Sequence, residues 1–424
     1  MKSRLLVLTL LLFSLAGFAQ LKEAIPETVN ASSERLKRID QVLQTYIDKK
    51  WISGATAIVV KDGRIIYYRA AGVADLDSKA AMKKDAIFRI ASQTKAITTT
   101  AIMMLYEEGK LLLDDPVAQY IPTFANQQVL DKFNAADTSY TTVPAKRPVT
   151  LRDLLTHSSG VGYAQIGSKE ARAIYAKNGV WGGIGVENGM ILGEKIKILG
   201  SLPLLHQPGE KWTYGLNTDI LGYVVEVVSG QTLDQFFKKR IFEPLGMNDT
   251  YFYLPKEKAS RLVKLSGEDE NHLVIPIDPK TLNLGGQIKV DYPAEPGTYY
   301  SGGGGLSSTA LDYAIFMQML VNGGEYNGKR LLAPSTIRMM TARQFDKFES
   351  PDTEMGLGFT VYTDRSVAFS PLSPGSFEWG GMFSSTYWID PKEKVVAQLF
   401  LNQYPNTHGE IHTKFKALVY QALH

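Results

Sequence analysis

Cysteine is absent from all 424 residues. Without it there is no disulfide, no thiolate nucleophile and no metal site built on sulfur, so the fold rests on packing alone. Histidine is scarce: six are present and none belongs to a His-Glu-x-x-His pair, so neither a metal nor another cofactor is expected. No Gly-x-Ser-x-Gly occurs, which removes the nucleophile elbow of the α/β-hydrolases. Charge of one sign is also missing. With 46 Lys and Arg against 43 Asp and Glu, the chain lacks the electrostatic footprint of a nucleic-acid binder. The apolar run from Leu5 to Leu15 is too short to cross a bilayer, so no membrane span is expected.

That run has a different use. Lys2 and Arg4 precede it and small residues follow, the order of a secretory signal with Gly17 and Ala19 ahead of a cut before Gln20. Residues 1–19 are therefore expected to be removed, leaving 44 basic residues against 43 acidic ones, with no cysteine for lipid attachment. A periplasmic or secreted protein is the expectation.

What remains reads as one catalytic unit. The spacing of Leu36, Ile39, Val42, Leu43 and Ile47 predicts an amphipathic helix over Glu34–Lys50, capped by Ser32 or Ser33. Two β-rich runs, Ala55–Val60 and Ile65–Tyr68, flank the turn Lys61-Asp62-Gly63-Arg64 and predict a hairpin. An apolar helix is predicted over Ser92–Glu108, stopped by Gly109. From about Pro122 to Gly297 short helices such as Leu151–Leu155 and Asp219–Ser229 alternate with Gly- and Pro-bearing connections. A helix over Thr309–Val321, strands over Gly358–Tyr362, Ser384–Ile389 and Val395–Leu401, and a helix over His412–Leu423 complete the chain. Strands at both ends of the sequence imply one shared sheet, because edges need partners and faces need cover. The fold class is thus α/β (α+β): an antiparallel sheet flanked by helices, drawn from about 32–90 and 300–424, with an α-rich insertion over about 91–299.

The chemistry starts at the only Ser-x-x-Lys in the chain, Ser92-Gln93-Thr94-Lys95. At a helix start the two side chains share a face at i and i+3, so the amine reaches the hydroxyl. A serine hydroxyl is a weak nucleophile until a neighbour takes its proton, and the helix N-terminus favours developing negative charge there. Chance alone produces such a motif in a chain of this length, so its meaning depends on the company it keeps.

That company is ordered. FRIASQTKAITTTAIMMLYEEGKLLLDDPVAQYIP, LRDLLTHSSGV at Leu151–Val161, PGEKWTYGLNTDILGYVVEVVSG at Pro208–Gly230, YYSGGGGLSSTALDYAIFM at Tyr299–Met317 and EWGGMFSSTYWIDP at Glu378–Pro391 follow one another. Together they resemble the blocks of the superfamily of class C β-lactamases, DD-peptidases and family VIII carboxylesterases, over almost the whole chain after residue 19. The resemblance implies a β-lactamase/transpeptidase-like fold, with Ser92 as nucleophile, Lys95 and Tyr214 as proton-handling partners, and Trp379-Gly380-Gly381 as the third box. It implies backbone N–H groups of Ser92 and Met382 around the oxyanion, and Asn217 as the amide at the substrate. Two boxes depart from the family's pattern: the family's Tyr-x-Asn here reads Tyr214-Gly215-Leu216-Asn217, and Trp379 stands where Lys-Thr-Gly or His-x-Gly would supply a cation. A penicillin or stem peptide ends in a carboxylate that such a cation would hold. Trp379 offers an indole N–H and an apolar face. The expected substrate is therefore an uncharged ester, with amides as the second class. The runner-up is a DD-carboxypeptidase or weak β-lactamase, and a reading of another class is a non-catalytic penicillin-fold binding module. Whether Tyr214 or Lys95 takes the proton stays open at this point.

Other motifs have plainer readings. His157 in Thr156-His157-Ser158-Ser159-Gly160 reads as a hydrogen-bonding histidine in a turn, and Asp153 and Asp219 as helix-start acids. Gly323–Lys329 nearly spells a phosphate loop but follows a helix and lacks the final Ser or Thr, so it reads as a β-turn. Gly302–Gly305 reads as a glycine-rich bend, which the family resemblance implies lies near the site.

Overall fold

The computed structural model describes residues 21–180, 182–186, 189–277, 289–348, 350 and 352–424; the expected signal segment at 1–19 lies outside them. Its spine is a sheet of eight strands: β1 (Lys22–Glu23), β2 (Gly54–Lys61), β3 (Arg64–Gly72), β4 (Thr353–Met355), β5 (Thr360–Tyr362), β6 (Phe377–Gly381), β7 (Ser385–Asp390) and β8 (Val395–Phe400). In space they run β1-β3-β2-β8-β7-β6-β5-β4. Every pairing is antiparallel except that of the two-residue β1, which lies parallel to β3 at one edge. Asp62 and Gly63 turn β2 into β3 with φ of 49° and 71°, the left-handed pair that a tight hairpin needs.

The period of two in β2 and β8 divides the core. Ala57, Val59, Ala397 and Leu399 face α1 (Ser33–Asp48) and α6 (Glu410–Tyr420) on one side. Ile58, Val60, Val396 and Phe400 face the other side, where α2 (Thr94–Glu107), α4 (Asn217–Ser229) and α5 (Ala310–Val321) lie. The cap of α1 is Ser32, whose hydroxyl accepts from the Arg35 N–H. Every residue of α2 from Thr94 to Leu105 is buried, its four threonines and Lys95 included. No helix among the described residues is long and apolar enough to cross a membrane.

Two boundaries differ from expectation in ways that bear on the site. The helix expected from Ser92 begins at Thr94, because Ala91–Gln93 forms a tighter 3₁₀ turn in which the Gln93 N–H bonds back to Ile90. The middle of the chain also holds a β-hairpin, Gln128–Asn134 against Ser139–Pro144, besides its helices. Its strands are mostly solvent-exposed on both faces, so they carry none of the alternation that marks a half-buried strand. Gly323–Lys329 is part of a small hairpin, Glu325–Tyr326 against Lys329–Arg330, turning at Asn327 and Gly328.

Candidate active site

Ser92 stands in the 3₁₀ turn that leads into α2, just after Ala91, whose φ of 44° is rare for a residue with a side chain. One turn on, Lys95 is 1% exposed. Its ammonium donates to Ser92 Oγ at 3.1 Å, to the Tyr163 hydroxyl at 3.0 Å and to the Gly303 carbonyl at 2.7 Å. Three donors thus meet three acceptors, the arrangement that lets a buried cation persist.

Tyr214 arrives from a distant stretch of chain. The loop carrying it is held against residues 157–162: the Thr213 N–H donates to the His157 carbonyl at 2.7 Å and the Leu216 N–H to that of Gly162 at 3.1 Å. Gly215 lies so close to the Val161 carbonyl that a Cβ there would collide with it. Pinned in this way, the Tyr214 hydroxyl donates to Ser92 Oγ at 2.6 Å, and Lys95 Nζ sits 4.8 Å from the centre of its ring. Burial pushes the Tyr214 phenol up, but the Lys95 charge and the polar contacts with Lys95, Ser92 and Trp379 outweigh it, so the phenol is more acidic than usual.

The remaining sequence-predicted residues divide. Trp379, Gly380, Gly381 and Met382 line the same cavity as Ser92 and Tyr214, from β6 and the turn after it. A Cβ on Gly381 would strike the Ile90 carbonyl, two residues ahead of the nucleophile, so only glycine lets β6 close on that turn. Asn217, expected at the substrate, is elsewhere. As the first residue of α4 it is wholly buried, accepting from Ser159 Oγ and donating to His157 Nδ1 at 3.0 Å, and it is not among the residues lining the cavity. The extra residue between Tyr214 and the amide has turned it into the helix start, where it fixes the His157 loop. His157 itself is buried in a positive-φ turn, and burial followed by the Lys95 charge holds its imidazole well below its ordinary range. Asp153, at the start of α3 (Leu151–Leu155), forms a capping box with Thr150 and binds Arg147. Asp219 does more than start a helix: fully buried, it accepts from Ser301 Oγ at 2.6 Å and anchors the 302–305 bend whose Gly303 carbonyl holds Lys95.

The cavity measures about 470 Å³. Five aromatic side chains border it, Tyr163, Trp212, Tyr214, Trp379 and Tyr404, and no described residue of the lining carries a formal charge. Three of the five, Tyr163, Trp212 and Tyr404, were missed by sequence reasoning, and Tyr163 is the one that accepts from Lys95. Its only signal is its place after Gly160-Val161-Gly162, two residues past the end of the block that resembles the family.

Comparison with known proteins agrees in extent. The family described as Beta-lactamase matches residues 39–421. Esterase EstB of Burkholderia gladioli is 29% identical over 394 residues, covering 90% of this chain and 94% of its own. Lovastatin esterase of Penicillium rubens is 31% identical over 388 residues, covering 84% and 90%. The solved structure of EstCE1, described as a hydrolase with promiscuous acyltransferase activity, is similar with a TM-score of 0.79 at 26% identity, over 92% of this chain and 99% of that one.

Proposed function

The chain belongs to the β-lactamase family of serine hydrolases, esterases and acyltransferases, and within it we propose an esterase that works through an acyl-enzyme on Ser92. One observation carries the reading: Ser92 Oγ lies 2.6 Å from the Tyr214 hydroxyl and 3.1 Å from Lys95 Nζ, in a cavity whose described lining is uncharged.

Tyr214 is the base of this mechanism. With all three N–H groups directed at acceptors, Lys95 is disposed as an ammonium, which has no lone pair to take a proton. Its charge instead favours the Tyr214 phenolate. The phenolate takes the Ser92 proton as Oγ bonds to the ester carbonyl carbon, and the resulting oxyanion is held by the backbone N–H groups of Ser92 and Met382. A donor of this kind is worth about 3 kcal/mol in the transition state. Collapse breaks the bond to the leaving oxygen, which receives the proton from Tyr214 and departs as an alcohol. Water then gives its proton to Tyr214 and adds to the acyl carbon, and a second collapse breaks the bond to Ser92 Oγ, which takes that proton from Tyr214 as the acid is released.

A carboxylate-bearing substrate is disfavoured because no cation among the described lining residues would hold it. A pure binding module has no use for a hydroxyl so equipped. We also propose export, supported by the basic start and apolar run of residues 2–15. The test is Ser92→Ala: p-nitrophenyl ester hydrolysis and labelling by a fluorophosphonate are both expected to vanish with the circular dichroism spectrum unchanged. Turnover at the parent rate would eliminate the assignment.

A further inference from the structure

We propose that Tyr163 is a positioning residue that holds Tyr214 in its phenolate form, by accepting from Lys95 and donating its own proton to the Tyr214 oxygen. This rests on the reading of Tyr214 as base and deepens it.

Counting protons leads there. Lys95 has only donors, so the 3.0 Å contact makes the Tyr163 oxygen an acceptor. The phenol proton of Tyr163 then needs an acceptor of its own. Tyr163 is buried, its ring centre lies 5.2 Å from that of Tyr214 at a tilt of 56°, and Lys95 Nζ lies 5.6 Å from one ring centre and 4.8 Å from the other, which makes Tyr214 the neighbour assigned to take that proton. Lys95 thus bonds the Tyr163 hydroxyl and lies 4.8 Å from the centre of the Tyr214 ring, while Tyr214 alone of the two phenols touches Ser92.

Their surroundings separate them chemically. Burial first, then the nearby Tyr214, Asp219 and Tyr299, push the Tyr163 phenol well above its ordinary range, whereas Tyr214 is made more acidic. A pair of titrating groups driven apart in this way divides the labour: one gives up its proton and works as base, the other keeps its proton as a donor. The titratable groups facing the pair are Lys95 from α2, His157 and Asp219 from the loop and helix beside it, and Tyr299 from the segment before the glycine bend. Tyr163 undergoes no net proton transfer, so the steps proposed above keep their balance.

The experiment is the pH dependence of kcat/KM for a p-nitrophenyl ester with the parent, Tyr163→Phe, Tyr163→His and Tyr214→Phe. A hydrogen bond to a charged group is worth about 1.5–3 kcal/mol, so losing it in Tyr163→Phe should move the limb that rises with pH upward by about one pH unit or more. Tyr163→His restores a ring able to accept from Lys95 and donate to Tyr214, and should bring the limb part of the way back. It also serves if the Phe variant, with one Lys95 donor left unpaired, does not fold. Ultraviolet difference titration of each variant should show the same displacement in the phenolate signal missing from Tyr214→Phe. A limb and a phenolate signal that stay in place in Tyr163→Phe, while Tyr214→Phe removes both, would overturn the role of Tyr163 and leave the base intact. A limb that survives Tyr214→Phe would overturn both together.

Discussion

Replacing Tyr214 by Phe removes one oxygen and leaves the rest of the site standing, so its cost can be worked out in advance. The three hydrogen bonds of Lys95 to Ser92, Tyr163 and Gly303 do not pass through that oxygen, and the loop around residue 214 is fixed by backbone bonds at Thr213 and Leu216. Stability should change by no more than about 1 kcal/mol, the net worth of one hydrogen bond. Activity should suffer far more. A positioned base contributes roughly 10²–10⁴ in rate, or about 3–5 kcal/mol of barrier. The expected result is therefore a fall of at least about a hundredfold in kcat/KM on a p-nitrophenyl ester with the unfolding midpoint nearly unchanged. The pH profile sharpens the test. Because the base must be deprotonated, the parent rate rises with pH through the Tyr214 pKa, which the Lys95 charge and hydrogen bonds bring below the ordinary phenol value of 10. His157, held neutral by burial and Lys95, adds no limb near neutrality. In Tyr214→Phe the rising limb should disappear. A loss under about tenfold with the limb retained would refute the reasoning and make Lys95 the base.

Three further outcomes are expected. Trp379→Lys puts a cation on the cavity wall and should raise the kcat/KM ratio of carboxylate-bearing to neutral esters; an unaltered ratio would remove charge as the determinant of specificity. Gly381→Ala forces a Cβ into the Ile90 carbonyl, whereas the nearest atom to a Cβ at Gly380 is 3.3 Å away, so Gly381→Ala should lose about 1–3 kcal/mol of stability and much of the activity, and Gly380→Ala distinctly less. Equal effects in urea unfolding and turnover would contradict the close approach. His412, whose Nδ1 is buried without a hydrogen-bond partner, is lowered by burial from its ordinary 6.5 to about 4. Between those values the unfolded chain holds more protons than the folded one, so stability is lost as pH falls through the window, by up to about 3 kcal/mol. His412→Gln should flatten that slope in unfolding midpoints taken from pH 7 to 4, and an unchanged slope would assign it to other groups.

Much of this was legible before any coordinates. The β2–β3 hairpin, α1 and α5 announce themselves because each has one face in the core and one turn or cap of strong chemistry at its end. The pairing of Ser92 with Lys95 is legible because it is local, one turn apart. Tyr214 needed the family resemblance, since nothing within its own block says that it crosses 122 positions to meet Ser92. Asn217 went astray for a local reason that only the fold reveals: α4 begins on it, so its side chain turns inward to His157. Tyr163 was invisible because its importance lies in two partners from other elements, Lys95 and Tyr214, and tyrosine after glycine carries no pattern of its own.

The departure at the third box is a change of electrostatics. A site that binds carboxylates gains from a cation such as the family's Lys-Thr-Gly or His-x-Gly would supply at the third box. Here Trp379 takes the position, so Lys95 is the ammonium left to favour the Tyr214 phenolate, and it is held by Ser92, Tyr163 and the Gly303 carbonyl that Asp219 helps to anchor. The indole completes an aromatic cluster instead, lying 5.9 Å from the Tyr214 ring and near-parallel to His157 at 6.1 Å. Excluding water from the phenol and from Lys95 strengthens their mutual attraction, because a charge pair gains as the surrounding dielectric falls. In the mechanism proposed above, the same uncharged walls that give an anionic substrate no cation thereby help keep the Tyr214 phenolate populated, ready to take the Ser92 proton.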